Sequence, residues 1–178
     1  MRRNPLPVER GRLLGRVRAE QDAGLVGALL GAFALAVAWV AEHPMHMAPC
    51  ALCLLERWPY RVLLLAGLAA TVSPAWARRS LLLLCALSLL GSIGLSLTHL
   101  GVEQHWWPDP LPQCMAPHFH GGTMSERLAS MPRLPAKPCD APNRLLPFLP
   151  LSMASLDLIY SVLASALIGA TARGWRVR

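Results

Sequence analysis

The chain has 178 residues, of which 54% are hydrophobic and only 15% are charged, a composition too apolar for an ordinary soluble protein. Its formal net charge of +7 does not indicate nucleic acid binding, because the basic residues lie next to long apolar runs. We therefore expect an all-α integral membrane protein, a four-transmembrane-helix bundle with two outer loops, the second long and irregular.

Four apolar runs, taken in chain order, are the candidate spans. Residues 23–41 and 80–98 form runs of nineteen residues each without a charge, close to the roughly 20 residues that cross a bilayer. Residues 62–77 and 158–172 form shorter runs, which reach spanning length only when each helix begins a turn or two earlier. The predicted spans are then about 23–41, 57–77, 80–99 and 152–172.

The basic residues predict the orientation of these spans. Eleven of the 17 lysines and arginines lie before the first span, after the fourth, or at Arg78 and Arg79 in the predicted turn between spans two and three. By the positive-inside rule these segments face the cytoplasm, with both termini. A cleaved signal peptide is the competing interpretation of residues 1–41, but the apolar run is longer than the usual ~7–15 residues.

The same pattern divides the chain into three parts. They are a basic N-terminal extension at 1–22, a membrane domain at 23–172 with outer loops at about 42–56 and 100–151, and a basic tail at 173–178.

The second outer loop contains eight prolines over residues 108–142. Proline excludes regular structure over most of this segment, so we expect a mobile arm held by its cysteines. A short surface helix over residues 123–131 is the exception, because Met124, Leu128 and Met131 share one helical face.

Four of the five cysteines fall in the outer loops. Cys50 and Cys53 form a C-x-x-C motif at the mouth of span two, while Cys114 and Cys139 flank the second loop. On the oxidising side of a bacterial-type inner membrane these four thiols are expected to pair as disulfides. Cys85 lies inside span three and is interpreted as a small apolar core residue.

The C-x-x-C motif has the surroundings of a reactive cysteine pair. Pro49 suits the first turn of a helix, and Arg57 follows Cys53 by four residues, so the guanidinium and the sulfur share a helical face. A helix N-terminus and a nearby cation both stabilise a thiolate. Pro59 predicts either a kink or the start of the span, which leaves the C-x-x-C turn partly outside the lipid.

Plainer roles are available for several of these residues. Arg57 and Arg61 could be interfacial anchors whose stems reach the headgroups, an interpretation we favour for Arg61. Glu56 is expected to be a surface charge, either solvated or paired with an arginine. The C-x-x-C pair could also be half of a zinc site completed from the second loop by Cys114, His118, His120 or Cys139. The 24 residues between the two loop cysteines suit a disulfide better than a zinc knuckle, so no metal is expected.

The two cysteine pairs together predict a relay of thiol–disulfide exchange. An exposed loop pair would react with a soluble thiol protein. The pair at the membrane mouth would take up the electrons and pass them to an apolar acceptor in the lipid. The proline-rich loop would supply the mobility that lets the two pairs meet.

Three stretches of sequence carry a resemblance to a known family: CALCLLERWPY at 50–60, THLGVE at 98–103 and LSMAS at 151–155. Over about residues 20–172 the chain resembles the bacterial disulfide bond formation protein B (DsbB) family of membrane thiol:quinone oxidoreductases. The resemblance implies a multi-pass protein of the bacterial inner membrane with two periplasmic loops. It would reoxidise a periplasmic DsbA-like dithiol carrier of thioredoxin fold and reduce a membrane quinone, ubiquinone or menaquinone, so that exported proteins gain disulfides.

The resemblance also implies a role for each outer cysteine. Cys114 is similar to the cysteine that forms the mixed disulfide with the carrier, and Cys139 to the one whose thiolate then attacks the C-x-x-C pair. Cys50 would receive that attack. Cys53 would be released as a thiolate that faces the quinone.

Three further residues are implied in quinone binding. Arg57 would stabilise the thiolate of Cys53 and the developing charge on the quinone oxygen. His99 matches a histidine near the family's quinone pocket, and Met153 lies where span four approaches the quinone. The plainer alternatives are an interfacial histidine bonded to a backbone group and a methionine that only packs.

The chain departs from the family pattern in its long N-terminal extension, in Glu56 where glutamine is also common, and in the His118 and His120 cluster. Asp157, near the outer end of span four, is an acid within the membrane and a candidate for quinol protonation. Two other functions stay open. One is a membrane metal-binding or structural protein that uses loop cysteines and histidines; the other is a vitamin-K-epoxide-reductase-like quinone reductase, in which the quinone-facing C-x-x-C is expected late in the bundle.

Overall fold

The computed structural model describes residues 7–114, 123–129, 137–145 and 151–173, and within these ranges every regular element is helical. In chain order they are α1 (Pro7–Glu42), α2 (Ala51–Val72), α3 (Ala75–Glu103), a 3-10 turn (Pro112–Cys114), α4 (Met124–Ala129) and α5 (Met153–Ala172). The expected all-α class is confirmed. His118 and His120 lie outside the described residues.

Three helices in the described part of the chain are long and apolar enough to cross a membrane. They are Val17–Glu42, Ala75–Glu103 and Met153–Ala172. Helix α2 is also long enough, with 22 residues, but Glu56, Arg57 and Arg61 raise the polarity of its first half. Length and hydropathy therefore identify three of the four predicted spans, and α2 needs a separate argument.

Helix α2 begins and ends earlier than the predicted span at 57–77. It begins at Ala51 because Cys50 is its N-cap, with the Cys53 N–H donating to Cys50 Sγ at 3.1 Å. The helix continues through Pro59 and so does not start there. Ser88 of α3 donates a hydrogen bond to the Pro59 carbonyl at 2.6 Å, which ties the two helices together at this point.

The turn between α2 and α3 is formed by Ser73 and Pro74; the prediction that Arg78 and Arg79 form it is wrong. Pro74 cannot continue α2 and instead is the N-cap of α3. Arg78 lies in the first turn of α3, where its Nε donates to the Ala70 carbonyl at 3.0 Å and its Nη2 to the Ser73 carbonyl at 2.6 Å. These bonds satisfy carbonyls at the C-terminal end of α2 that have no helical partner.

Helices α1, α2, α3 and α5 pack side by side around an apolar core. Its buried members are Tyr60, Leu63, Ala66, Cys85, Leu89, Ala164 and Ile168. Cys85 is 1% exposed, which agrees with its expected role as a small apolar residue. The outer faces of the helices carry exposed large apolar side chains, among them Leu65, Leu83 and Leu163, and such faces suit lipid rather than water.

Glycines let α1 and α2 approach closely. A Cβ atom on Gly67 would lie 2.6 Å from the Ala28 nitrogen and 2.7 Å from the Gly24 carbonyl oxygen. These backbone atoms cannot rotate out of the way as a flexible side chain can. Small residues at such crossings are typical of helix pairs in membranes.

Gly67→Ala is expected to destabilise the protein by about 1–3 kcal/mol, because the added methyl group must push α1 away from α2. Gly91→Ala is the matched control, since nothing lies within 4 Å of a Cβ at that position. There alanine has the better helix propensity, so stability should stay equal or rise slightly. Thermal unfolding in detergent measures both variants, and equal midpoints would contradict the close packing.

The second loop contains the short helix α4, Met124–Ala129, within the predicted surface helix at 123–131. Its start is a capping box. The Glu126 N–H donates to Thr123 Oγ1 at 3.4 Å, and the Thr123 N–H donates to Glu126 Oε2 at 2.8 Å. The prediction is confirmed for these residues, while Met131 lies outside the described ranges.

Candidate functional site

The C-x-x-C motif opens α2 and brings two free thiols together. Cys50 caps the helix and Cys53 lies in its first turn. The Cys53 thiol donates a hydrogen bond to the Cys50 sulfur. This bond is the main cause of a pKa of Cys50 below its usual range, and the Cys53 backbone N–H lowers it further. The Cys53 thiol, and after it the backbone N–H at the helix N-terminus, therefore favour the thiolate of Cys50 against the opposing effect of burial, as expected for a reactive pair.

His99 on α3 connects this motif to a buried carboxylate. Its Nε2 lies 3.5 Å from Cys50 Sγ, and its Nδ1 lies 2.9 Å from Glu56 Oε1. An ionised carboxylate only accepts, so Nδ1 donates to Glu56 and Nε2 faces the sulfur. Glu56 is only 8% exposed, so its interpretation as a surface charge is wrong. The reason is that α2 turns this side chain towards α3 rather than towards the headgroups.

Cys114 and Cys139 form a disulfide, with their Cα atoms 4.9 Å apart, so the expected pairing of the loop cysteines is confirmed. Both are completely buried, at 0% exposure, and they pack in one apolar cluster with Cys50, Leu52 and Val102. The expectation of an exposed loop pair is wrong. The described loop residues at the two cysteines pack against the ends of α2 and α3, where burial removes the apolar sulfur pair from water.

Asn143, in the described part of the second loop, forms hydrogen bonds to the first loop and to the start of α5. Its Nδ2 donates to the Ala48 carbonyl at 3.2 Å, just before the C-x-x-C motif, and its own carbonyl accepts from the Met153 N–H at 2.7 Å. Lys137 Nζ donates to Asn143 Oδ1 at 2.5 Å. One residue thus links the first loop, the second loop and the start of α5, through its side-chain amide and its backbone carbonyl. The sequence offered no signal for it, because the link to the C-x-x-C motif goes to Ala48, 95 residues away along the chain.

An apolar cavity of about 330 Å³ lies between α1, α2 and α5. Three of the seven predicted site residues line it: Cys53, Arg57 and Met153. Side chains of α1 and α5 form much of its wall, among them Phe33, Val37, Ala38, Leu156 and Tyr160.

Cys50 and His99 do not line this cavity; they meet each other at the interface of α2 and α3. The two cysteines of the C-x-x-C motif therefore lie in different environments. Cys50 faces His99 and the loop disulfide, and Cys53 faces the cavity.

Arg57 forms an ion pair with Glu42, the last residue of α1, with Nη1 and Oε2 separated by 2.7 Å. Both side chains line the cavity. We expected the guanidinium to act on the Cys53 sulfur, but its hydrogen bond goes to a carboxylate, because α1 ends beside this turn of α2. The charge of Arg57 is thus balanced before any ligand enters. The position of Glu42 at the end of the first apolar run was the only hint of this partner.

Asp157 on α5 is held by two hydroxyl groups beside the same cavity. Tyr60 of α2 donates to its Oδ1 at 2.5 Å, and Ser96 of α3 donates to its Oδ2 at 2.5 Å. Tyr60 and Asp157 both line the cavity. Side chains from three helices therefore meet at one carboxylate, and hydroxyl groups of the protein supply the hydrogen bonds that water would otherwise give.

Comparison with known proteins agrees with this arrangement. Residues 20–171 match the family described as Disulfide bond formation protein DsbB. An uncharacterized protein of Rickettsia prowazekii (strain Madrid E) is 35% identical over 80 residues, and the match covers 45% of this chain and 46% of that relative, less than half of its length. No solved structure matches the chain. Because the family match covers most of the chain and includes all four outer cysteines, this protein belongs to the DsbB family.

Proposed function

We propose that this protein is an inner-membrane oxidoreductase that reoxidises a periplasmic DsbA-like dithiol carrier and passes the electrons to a membrane quinone. The position of the C-x-x-C pair supports this function. Cys50 packs in one cluster with the loop disulfide, and its neighbour Cys53 lines an apolar cavity. A sulfur pair between a protein disulfide and an apolar site is what a relay of electrons from a protein thiol to a lipid-soluble acceptor requires.

The proposed topology has four spans, with α2 as the span that hydropathy alone does not identify. Its three charged residues each have a local compensation: Glu56 pairs with His99, Arg57 pairs with Glu42, and Arg61 lies 5.0 Å over the Trp58 ring. Paired charges lower the cost of placing a helix in lipid.

Four spans put both termini on the same side, which the arginines at both ends assign to the cytoplasm. The extension at 1–22, the membrane domain at 23–172 and the tail at 173–178 follow from this topology. The loops that carry the cysteines are then periplasmic.

Thiol–disulfide exchange moves the electrons without any other reactant. A carrier thiolate attacks the sulfur of Cys114, and Cys139 leaves as a thiolate. Cys139 then attacks Cys50 of an oxidised C-x-x-C pair, and Cys53 leaves as a thiolate. The second carrier thiol resolves the mixed disulfide, and Cys114 rebonds to Cys139, which releases Cys50. The carrier has gained a disulfide, and Cys50 and Cys53 hold its two electrons.

The cavity suits a quinone ring. Its wall is mainly apolar and aromatic, and polar groups enter it only at a few points, as is usual for a site that binds an apolar cofactor. Ubiquinone or menaquinone, when bound, supplies an acceptor for two electrons and two protons. Cys53 would face it, Met153 would pack against it, and the guanidinium of Arg57 would stabilise negative charge there. His99 lies outside the cavity, and it would act on the C-x-x-C pair through its hydrogen bond to the Cys50 sulfur.

Asp157 is the proposed proton donor of the cavity. Among the described residues that line the cavity, the other two acids are Glu42 and Glu56, which are paired with Arg57 and His99. The hydroxyl groups of Tyr60 and Ser96 orient Asp157. This position fits a general acid in the protonation of the reduced quinone.

The structure gives less support to the other functions. Cys114 and Cys139 are joined in a disulfide and are not free to complete a zinc site with the C-x-x-C pair. The motif opens α2, early in the chain, whereas a vitamin-K-epoxide-reductase-like enzyme is expected to carry it late.

Anaerobic mixing of the purified protein with a reduced thioredoxin-fold carrier and either ubiquinone or menaquinone tests the function, with quinone absorbance as the readout. Ala38→Phe fills part of the cavity and should raise the apparent KM for quinone about tenfold, equivalent to about 1.4 kcal/mol. Ala36→Phe is the matched control, because Ala36 is exposed on the outer face of α1. Equal KM values for the two variants would exclude this cavity, and absence of quinone reduction by the parent protein would exclude the function.

A further inference from the structure

The C-x-x-C thiols and His99 form a cluster with the dimensions of a metal site. The two sulfur atoms and an imidazole nitrogen of His99 all lie within 4.8 Å of one another. Zinc binds thiolate sulfur at about 2.3 Å and imidazole nitrogen at about 2.0–2.1 Å, so its ligand atoms stand roughly 3.3–3.8 Å apart in a tetrahedron. The separation of 3.5 Å between Cys50 Sγ and His99 Nε2 already falls in that range.

The orientation of His99 is that of a metal-binding histidine. Its Nδ1 donates to Glu56 at 2.9 Å, which leaves Nε2 turned towards the sulfur atoms. Histidines that bind metals almost always donate their other N–H to a carboxylate or carbonyl, which fixes the tautomer and the ring plane. Glu56 therefore supplies the outer partner that such a site needs.

Glu103, one helical turn beyond His99, lies outside this three-residue cluster but has its carboxylate near the histidine. Glu103 Oε1 lies 3.9 Å from His99 Nε2, and the residue is only 8% exposed. Its other oxygen, Oε2, is buried and has no hydrogen-bond partner among the described residues. A buried carboxylate oxygen without a donor is costly unless a cation or a proton completes it. The cluster provides two sulfur atoms and one nitrogen, and Glu103 would supply an oxygen by moving its side chain towards them.

We propose that the reduced C-x-x-C pair, with His99 and Glu103, binds a zinc-like divalent ion. Binding requires both sulfur atoms as thiolates and His99 Nε2 without a proton, so any protons that these groups hold are released and no electron moves. The oxidised pair cannot bind, because its sulfur atoms are then bonded to each other. The ion and the Cys50–Cys53 disulfide are therefore mutually exclusive, and the bound ion holds the pair reduced. The site itself does not depend on the proposed electron transfer; only its inhibition of turnover rests on that function.

Cobalt(II) and zinc are the probes that test this site. The full-length Cys114→Ser/Cys139→Ser variant, reduced with a phosphine and freed of it, should bind one equivalent of cobalt with the visible absorption of thiolate ligation. Zinc should displace it. The same protein oxidised with diamide, as checked by thiol counting, should bind none. Equal binding by the oxidised and reduced forms would overturn the proposal.

Substitutions then identify the ligands. Cys50→Ser and His99→Ala should each weaken zinc binding at least 100-fold in competition with a chelator, and Glu56→Gln about 10–100-fold, the range known for outer partners of metal-bound histidines. Cys85→Ala should bind like the parent, because Cys85 lies in the apolar core. Unchanged affinity in Cys50→Ser or His99→Ala would refute the assignment.

Turnover separates this inference from the proposed function. Zinc should inhibit quinone reduction by the parent protein, and a chelator should restore it. Quinone reduction without any zinc binding by the reduced pair would sink the metal site alone. Zinc binding without any quinone reduction would sink the proposed function alone.

Discussion

Cys53→Ser is expected to abolish quinone reduction, with turnover lower by on the order of 10³-fold or more, as for loss of an obligatory nucleophile. Cys53 is the only cysteine on the wall of the cavity between α1, α2 and α5, as far as the described residues go. A serine hydroxyl at this position can neither form the disulfide with Cys50 nor give up two electrons. The measurement is the anaerobic quinone absorbance assay with a reduced carrier.

The same variant should keep the first half of the relay. Its bridge between Cys114 and Cys139 is intact, so it should still form a mixed disulfide with the carrier, detectable on a non-reducing gel. Cys85→Ala is the control, because this cysteine is buried in the core and should leave turnover unchanged. Normal quinone reduction by Cys53→Ser would remove the central residue of the proposed function.

Asp157→Asn should lower turnover by about 100-fold, at the lower end of the usual contribution of general acid catalysis. The amide keeps the size of the side chain and can still bond Tyr60 or Ser96, but it cannot deliver a proton. Exchange between the carrier and the Cys114–Cys139 bridge should continue at the normal rate, because neither of these cysteines lines the cavity. Stopped-flow measurement of the two half-reactions separates these effects.

Asp22→Asn is the matched control for this change, because Asp22 is exposed on α1, far along the helix from the cavity. Asp157→Glu should recover part of the rate by restoring the acid. If Asp157→Asn slowed both half-reactions equally, or lowered only the thermal stability, the carboxylate would be structural and the proton would come from elsewhere.

Hydropathy and helix length predicted that α1, α3 and α5 are long apolar helices, although α1 begins at Pro7 and not at residue 23. Helix α2 was harder. Its start is determined by the sulfur of Cys50 acting as N-cap, and its charges are tolerated because Glu42 and His99 lie on neighbouring helices. Neither fact can be obtained from a local window of sequence.

The chemistry of the site could be predicted where it depends on the spacing of residues along the sequence. It could not be predicted where it depends on how the helices pack. The C-x-x-C motif and the loop pair are visible as cysteines alone. The partner of Arg57, the burial of Glu56 and the role of Asn143 all depend on contacts between residues distant in the chain. The predicted quinone-binding role of His99 stays a prediction. Because His99 lies beside Cys50 and not in the cavity, we propose that it acts on the Cys50 sulfur rather than on the quinone ring.

The complete burial of the Cys114–Cys139 bridge bears on selectivity. At 0% exposure, the bridge presents no sulfur surface to a small thiol such as glutathione. A protein carrier can use the binding free energy of its interface to expose the bridge. Under the proposed function, the oxidising capacity would thereby be kept for a protein client and not be lost to low-molecular-weight thiols.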